Sequence, residues 1–259
     1  MKRFSLVGAG NVGLNLINSL AKKGYDFRYI YKKAKYDYFA SRLSGDIGLI
    51  VQESDFIFLT TRESQIGEAA DLIARQADPA GKVFFHTSNS LTSDQLRPIK
   101  EKGGFTASFS PLQTFVGFYP ETDLFKGIYF LAEGDGRALQ VAQEIADKLE
   151  AHILFVNKEE KNHLHIAAVS SSNFLISILK FAESQLEKCG RTRRDRKYDI
   201  RIMLPLIKQT LHNIEKKGVE ASLSGPLKRK ESAILEKHLS LLTQDEAAFY
   251  RTLTGYLKK

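Results

Sequence analysis

The sequence predicts an α/β protein: a mostly parallel β-sheet covered by helices in the N-terminal part, and an all-helical domain after it. Three observations point there. Short apolar runs alternate with amphipathic stretches over the first 155 residues. A G-x-G-x-x-G turn (Gly8, Gly10, Gly13) follows the first of these runs. Beyond Lys158, strand candidates give way to long helical ones. Strand–helix alternation indicates a parallel sheet, and its loss marks a change of domain. The boundary is expected near Val156-Asn157-Lys158, giving domains over 1–156 and 157–259.

Taken in order, strands are expected over 4–7, 27–31, 56–59, 83–85, 106–109, 128–131 and 153–156. Helices fall between most of them, over 11–23, 35–43, 65–76, 92–101 and 137–149. The first is amphipathic through Leu14, Ile17, Leu20 and Ala21, and Gly24 stops it. Residues 45–52 (SGDIGLIV) read as a short strand or a loop. Thr92 to Gln95 (T-x-x-Q) reads as a capping box. In the second domain helices are expected over 158–188, 196–217, 230–242 and 245–257, with breaks at Gly190, Gly218 and Ser224-Gly225-Pro226. The first of these carries Ile166, Val169, Phe174, Leu175, Ile178 and Leu179 on several sides of the helical wheel, which implies a largely buried helix.

The chain opens on MKRFSLVGAGNVGLNLINSLAKKG, whose basic start and apolar run also fit the outline of a signal peptide. Gly8, Gly10, Asn11, Gly13 and Asn15 interrupt the apolar core, and no clear small-residue cleavage site follows. A phosphate-binding turn fits better, because a strand precedes it, a helix follows, and a second strand begins near Phe27. Gly8 permits the tight turn, Gly10 lets a pyrophosphate approach the backbone, and Gly13 allows helix to pack closely on strand. The helix amino end adds free N–H groups and partial positive charge. Residues 1–156 are thus expected to form a Rossmann-type dinucleotide-binding domain, with Gly8, Ala9, Gly10, Asn11, Val12 and Gly13 against the dinucleotide.

The end of the second strand selects the dinucleotide. NAD sites usually carry Asp or Glu there. Residues 27–36 (FRYIYKKAKY) have no acid and supply Lys32, Lys33 and Lys35. Ammonium groups attract a 2′-phosphate, at roughly 1.5–3 kcal/mol for a charge-assisted hydrogen bond. NADP is therefore the expected cofactor, held near Tyr31, Lys32 and Lys33, with NAD or a deazaflavin coenzyme as alternatives; without a ligand, these lysines are a solvated loop cluster.

Two further strand ends are polar, 59–64 (LTTRES) and 86–90 (HTSNS). Their hydroxyls and amides suit ribose and a nicotinamide amide, which makes Thr60, Thr61, Arg62, His86, Thr87 and Ser88 cofactor candidates; such clusters are also ordinary loop chemistry. Residues 108–115 (SFSPLQTF) turn through Pro111, either to close over the nicotinamide end or as a plain turn. On the long helix, Asn162, His165, Ser172 and Asn173 fall within roughly one 100° arc. Lys161 and His165 lie one turn apart on a shared face. Either can donate the proton that accompanies hydride transfer; the alternatives are a core position for His165 and a surface position for Lys161. Asn173 and Ser110 are candidate orienters.

The net charge of +8 is concentrated in the second part: residues 1–150 hold 18 basic and 18 acidic side chains, residues 151–259 hold 20 and 12. Such a half suits nucleic acid, an anionic membrane or an acidic small molecule, or is simply a solvated surface. Arg191, Arg193, Arg194, Arg196 and Lys197 form a run with no aromatic residue before Tyr198 and no recognition motif, which reads as a solvated loop rather than a nucleic-acid surface. No stretch approaches the roughly 20 apolar residues of a membrane span. Cys189 is the sole cysteine, so neither an internal disulfide nor a Cys-based metal site is expected, consistent with a reducing cytoplasm.

The segments GAGNVG (8–13), HTSNSL (86–91), SPLQTF (110–115), HIAAVSSSNF (165–174), LPLI (204–207) and SGPLKRKE (224–231) occur in this order. In that combination the chain resembles a little-characterised family of Rossmann-type NADP-dependent oxidoreductases with a helical C-terminal domain of unknown function. These are distant relatives of pyrroline-5-carboxylate reductase and the β-hydroxyacid dehydrogenases. The resemblance implies a cofactor over 8–13, 60–62 and 86–88, a substrate pocket lined by the helix bearing His165 and Asn173, and homodimers through the C-terminal helices. Two departures stand out. The family usually has His before Pro-Leu-Gln, where this chain has Ser110, and it tends toward Val-Pro-Asp where this chain has Thr61-Arg62-Glu63. The activity expected is hydride transfer between NADP(H) and a small anionic carbonyl or imine. The rival reading is a non-catalytic NADP-binding sensor or scaffold.

Overall fold

Each apolar run of the first part becomes a strand, because burial on both faces of a sheet favours a short, continuous apolar segment. In the computed structural model, which describes residues 1–34, 37–189 and 198–257, the strands are β1 (Arg3–Ala9), β2 (Asp26–Ala34), β3 (Leu43–Ser44), β4 (Phe56–Leu59), β5 (Val83–His86), β6 (Phe105–Pro111), β7 (Tyr129–Gly134) and β8 (His152–Phe155). They form one sheet in the order β3-β2-β1-β4-β5-β6-β7-β8, parallel except between β6 and β7. The chain leaves β1 toward one edge, then returns to its other side, so the strand order reverses at β1. Ligands of open α/β sheets sit beyond the carboxyl ends of the strands at this crevice.

Helices α1 (Asn11–Lys22), α2 (Ile47–Gln52), α3 (Ile66–Gln76), α4 (Arg97–Glu101) and α5 (Gly136–Lys148) accompany the sheet. Phe4, Phe56, Phe58, Phe85, Phe109 and Phe130 form one core with Leu14 and Ile17 of α1 and Ala142 and Ile145 of α5. A second core joins Val7, Ile57, Leu59 and Phe84 to Ile50 of α2, Ile73 of α3 and Ile99 of α4. Burying one such side chain contributes roughly 1.5–3 kcal/mol, and stacked pairs such as Phe109–Phe130, with centroids 4.2 Å apart, add to it.

Three local expectations are corrected. Residues 47–52 are helical, because the Asp46 carboxylate caps α2 by accepting from the Leu49 N–H (3.0 Å), and Ile47, Ile50 and Val51 are buried. The helix expected over 35–43 is a 3-10 turn at Asp37–Arg42, residues 35 and 36 lying outside the described residues. No capping box forms at Thr92, whose hydroxyl turns to Asp94 (3.2 Å).

The remaining helices are α6 (Lys158–Glu187), α7 (Leu204–Lys217), α8 (Gly225–Lys228), α9 (Ser232–Ser240) and α10 (Gln244–Tyr256). Gly218, at a φ of 79°, ends α7. Pro226, expected within a break, instead starts the short α8, where its fixed φ is already helical. The chain divides into two compact units, Met1–Ser172 and Asn173–Lys259, so the first half of α6 belongs with the sheet. Within the second unit, Gln185 and Lys188 bind Glu246 (3.0 and 2.7 Å), and Phe181 packs on Phe249.

Helix α6 is largely exposed, contrary to the expectation of a buried helix: Ile166 and Phe174 are 61% and 57% exposed. Its apolar residues point to several sides, and one chain covers only some of them. Contrary to the expectation that no stretch approaches a membrane span, α6 is long and apolar enough to cross a membrane by length and composition alone. The basic run at 191–197 lies outside the described residues.

Candidate functional site

The glycine turn sits at the reversal point of the sheet. Gly8 has a φ of 86°, and a Cβ there would come within 2.6 Å of Thr61 Cγ2 and 3.0 Å of the Thr61 backbone. Gly13 packs so closely that a Cβ would come within 2.7 Å of Leu6 and 3.2 Å of the Gly8 carbonyl. A Cβ on Gly10, by contrast, would meet nothing within 4 Å. Gly10 is also the N-cap of α1, with no side-chain cap and no acid in the first turn, so the helix amino end keeps its free N–H groups and positive character. The cleft in front of it, about 930 Å³, is lined by residues that include Gly8, Ala9, Gly10, Asn11, Tyr31, Lys32, Thr61 and Arg62. Val12 is half-buried beside it. Lys32 is exposed, with its ammonium 5.1 Å over the Tyr31 ring and its backbone in the left-handed region at a φ of 61°. The side chain of Lys33 and all of Lys35 lie outside the described residues.

Several expected cofactor contacts have other tasks. The Thr60 hydroxyl donates to the Gly8 carbonyl and braces the turn. The Asn11 amide donates to the Phe115 carbonyl (2.9 Å). Farther along α1, Asn15 donates to Gly117 (2.8 Å) and accepts from the Tyr119 N–H (3.0 Å), and Asn18 donates to Pro120 (3.0 Å). The segment following β6 is therefore fastened along the flank of α1 and is no plain turn. His86 is fully buried; its Nε2 donates to the Thr92 carbonyl (2.9 Å) and its Nδ1 accepts from the Ser88 N–H (3.3 Å). Burial, and then the charge of Lys161, push its pKa down to about 4. A neutral, doubly bonded His86 shapes the loop after β5, with both ring nitrogens already engaged. Thr87 is half-buried in that loop.

Lys161 overturns the expectation of a surface lysine. It is 0% exposed, and its Nζ donates to the Ser88 carbonyl (2.9 Å), to Ser108 Oγ and to Ser110 Oγ (3.4 Å). Three hydrogens meet three oxygens, as a buried ammonium requires. Burial pushes its pKa down from the ordinary 10.5 to about 8, against the pull of Glu133 and Glu63. The cage comes from strand alternation. Thr106, Ser108 and Ser110 on β6 share one face, and Ser108 pairs in register with the buried Glu133 of β7. Glu133 accepts from Ser93 N (2.6 Å) and Ser93 Oγ (2.7 Å). Lys161 and Ser110 thus rivet the start of α6 to the sheet. Neither presents a free group to solvent.

One turn beyond Lys161, His165 is half-buried, with its Nδ1 buried and without a hydrogen-bond partner among the described residues. Thr61 Oγ1 and Asn89 Oδ1 are likewise buried and unpartnered. All three residues belong to the strand-end loops or the helix pinned upon them. The Ser88 hydroxyl donates to Glu63. Partial burial pushes the Glu63 carboxyl up, but hydrogen bonds from Ser88 and Ser90 and the charge of His165 outweigh it and hold the group below its ordinary value. Asn173 is exposed and begins the second unit, whereas Glu63, Ser88, Lys161 and His165 all belong to the first. Sequence reasoning missed Glu133 and the cage. The signal was the every-second-residue stripe of hydroxyls in FTASFSP.

A family model described as a domain of unknown function (DUF2520) matches residues 128–257. No curated protein matches the chain. Among solved structures, BF3122 of Bacteroides fragilis, provisionally assigned as an NADP oxidoreductase, is 23% identical with a TM-score of 0.81, over 99% of this chain and 97% of its own. A reductive aminase from Aspergillus terreus, in complex with NADPH and ethyl levulinate, is 13% identical with a TM-score of 0.66, over 99% and 93%. The pyrroline carboxylate reductase of Plasmodium falciparum, with NADP bound, is 12% identical with a TM-score of 0.61, over 100% and 96%. At these identities the likeness establishes a shared Rossmann-type fold.

Proposed function

Because the chain belongs to the DUF2520 family, whose domain is described as one of unknown function, we propose its function from the site: an NADP(H)-dependent oxidoreductase acting on a small anionic carbonyl or imine. The observation that carries this reading is the open Gly10 turn at the crevice, with Lys32 at its edge and no acid at the end of β2. The residues fit a dinucleotide. The uncapped amino end of α1 would receive the pyrophosphate, and Lys32 would pair with a 2′-phosphate. When bound, the nicotinamide supplies or accepts the hydride. His165, whose Nδ1 is buried yet unpartnered, holds or releases the accompanying proton. Lys161 keeps α6, and with it His165, against the strand ends. NADP-linked neighbours of the same fold support the coenzyme, and the basic second part supports an anionic substrate.

We also propose that the exposed apolar side chains of the helical part, among them Phe174, Ile178 and Leu206, bind a second copy of the chain. Calorimetric titration with NADPH, NADH and a deazaflavin coenzyme tests the cofactor, with tightest binding expected for NADPH. NADPH oxidation across a panel of keto acids and cyclic imines then tests the chemistry. Firm NADPH binding with no turnover would favour the sensor reading.

A further inference from the structure

We propose that Asn89 is a specificity-determining residue of this site: its Oδ1 accepts a hydrogen bond from the carboxamide N–H of a bound nicotinamide. The inference rests on the reading of the chain as an NADP(H)-binding protein.

Asn89 lies in the loop after β5, and its Nδ2 donates to the carbonyl of Pro111, the last residue of β6 (3.0 Å). One amide thus bridges the carboxyl ends of two paired strands. That bond also fixes which way the amide faces, since the reversed amide would set two oxygens against each other. Oδ1 is thereby held in place, and it is buried with no partner among the described residues. A buried acceptor left unmet is costly, so such an atom calls for a donor. The polar groups around this loop have other partners. His86 spends both ring nitrogens within it, the Ser88 hydroxyl goes to Glu63, and Lys161 is shared among Ser88, Ser108 and Ser110. Asn89 as a whole is only half-buried, so its amide stands at the margin of the core and not inside it.

The strand order indicates which part of a dinucleotide this acceptor serves. Dinucleotides straddle the point where the order reverses. The sequence β2-β1-β4-β5-β6 across the sheet puts Lys32 on one side of β1 and Asn89 on the other. With Lys32 assigned to the adenosine ribose, the ends of β4 to β6 fall to the nicotinamide half. An amide oxygen accepts and cannot donate, so its complement is an N–H group, which the carboxamide carries.

The test is calorimetric titration of the full chain with NADP and with acetylpyridine adenine dinucleotide phosphate, which keeps the ring carbonyl and carries a methyl group in place of the carboxamide nitrogen. The wild type is expected to bind NADP about tenfold more tightly than the analogue. Asn89→Ala should bring the two affinities within about twofold of each other. Asn89→Asp keeps an acceptor and gives up the donor to Pro111, so it should retain most of the preference. Equal affinities in the wild type, or an unchanged preference in Asn89→Ala, overturns the proposal. So does a preference lost as fully in Asn89→Asp as in Asn89→Ala, which would mean that only the bond to Pro111 matters. If Asn89→Ala fails to fold, Asn89→Leu, which keeps the volume, takes its place under the same criteria. A wild type that binds neither dinucleotide overturns the oxidoreductase reading and this proposal with it, whereas firm and equal binding of both overturns this proposal alone.

Discussion

Lys161→Met, compared with the wild type across alkaline pH, measures what the buried ammonium contributes. The group is fully buried and its pKa falls from 10.5 to about 8 in the fold. Below pH 8 the folded and unfolded chains both carry the proton, and the penalty of burying charge is fully present. Between about 8 and 10.5 the folded chain releases the proton while the unfolded chain keeps it. The unfolded state then binds more protons, so stability rises with pH. The full gap is worth about 3 kcal/mol, and about 2 kcal/mol of it is realised between pH 7.5 and 10. Methionine fills similar volume and does not titrate. Urea unfolding followed by circular dichroism, suited to a chain without tryptophan, should show the wild type gaining about 2 kcal/mol on the variant over this range. A difference that stays flat would refute the reasoning, because it would mean that the ammonium is hydrated and not caged by Ser88, Ser108 and Ser110.

Other outcomes follow from the cleft and the helices. Gly10→Val should keep its stability within about 1 kcal/mol, since a Cβ there meets nothing, yet lose about a hundredfold in NADPH affinity by calorimetry. Lys32→Ala should weaken NADPH binding about tenfold and leave NADH binding unchanged in the same assay. Phe174→Asp should convert a dimer to a monomer by light scattering; a monomeric wild type would remove the second-copy proposal.

The sheet was legible because each strand is a short apolar run, and the glycine turn because its residues carry distinct steric tasks, which Thr61 and Leu6 make visible as contacts. The two-residue β3 and the single-turn-scale α2 were not legible, since their stability comes from pairing with β2 and from one Asp46 cap. Helical periodicity places Ile166 and Phe174 on faces but does not say whether anything covers them. Lys161 looks like any lysine on a helix. What buries it is Ser108 and Ser110, about fifty residues earlier, and Glu133 joins only because β7 runs back antiparallel beside β6. A histidine at a strand end reads as available from sequence, whereas in the fold Thr92 and Ser88 occupy both nitrogens of His86.

The asparagines along α1 divide that helix into two jurisdictions. Its tip faces the cleft at the sheet reversal, while Asn11, Asn15 and Asn18 commit their amides to the backbone from Phe115 to Pro120. An engineer testing the proposed coenzyme preference should therefore leave the helix alone and work at Lys32, on whose side chain no backbone among the described residues depends. Redesigning the amide row would instead unfasten the chain that follows Pro111 and disturb both ends of the molecule's business at once.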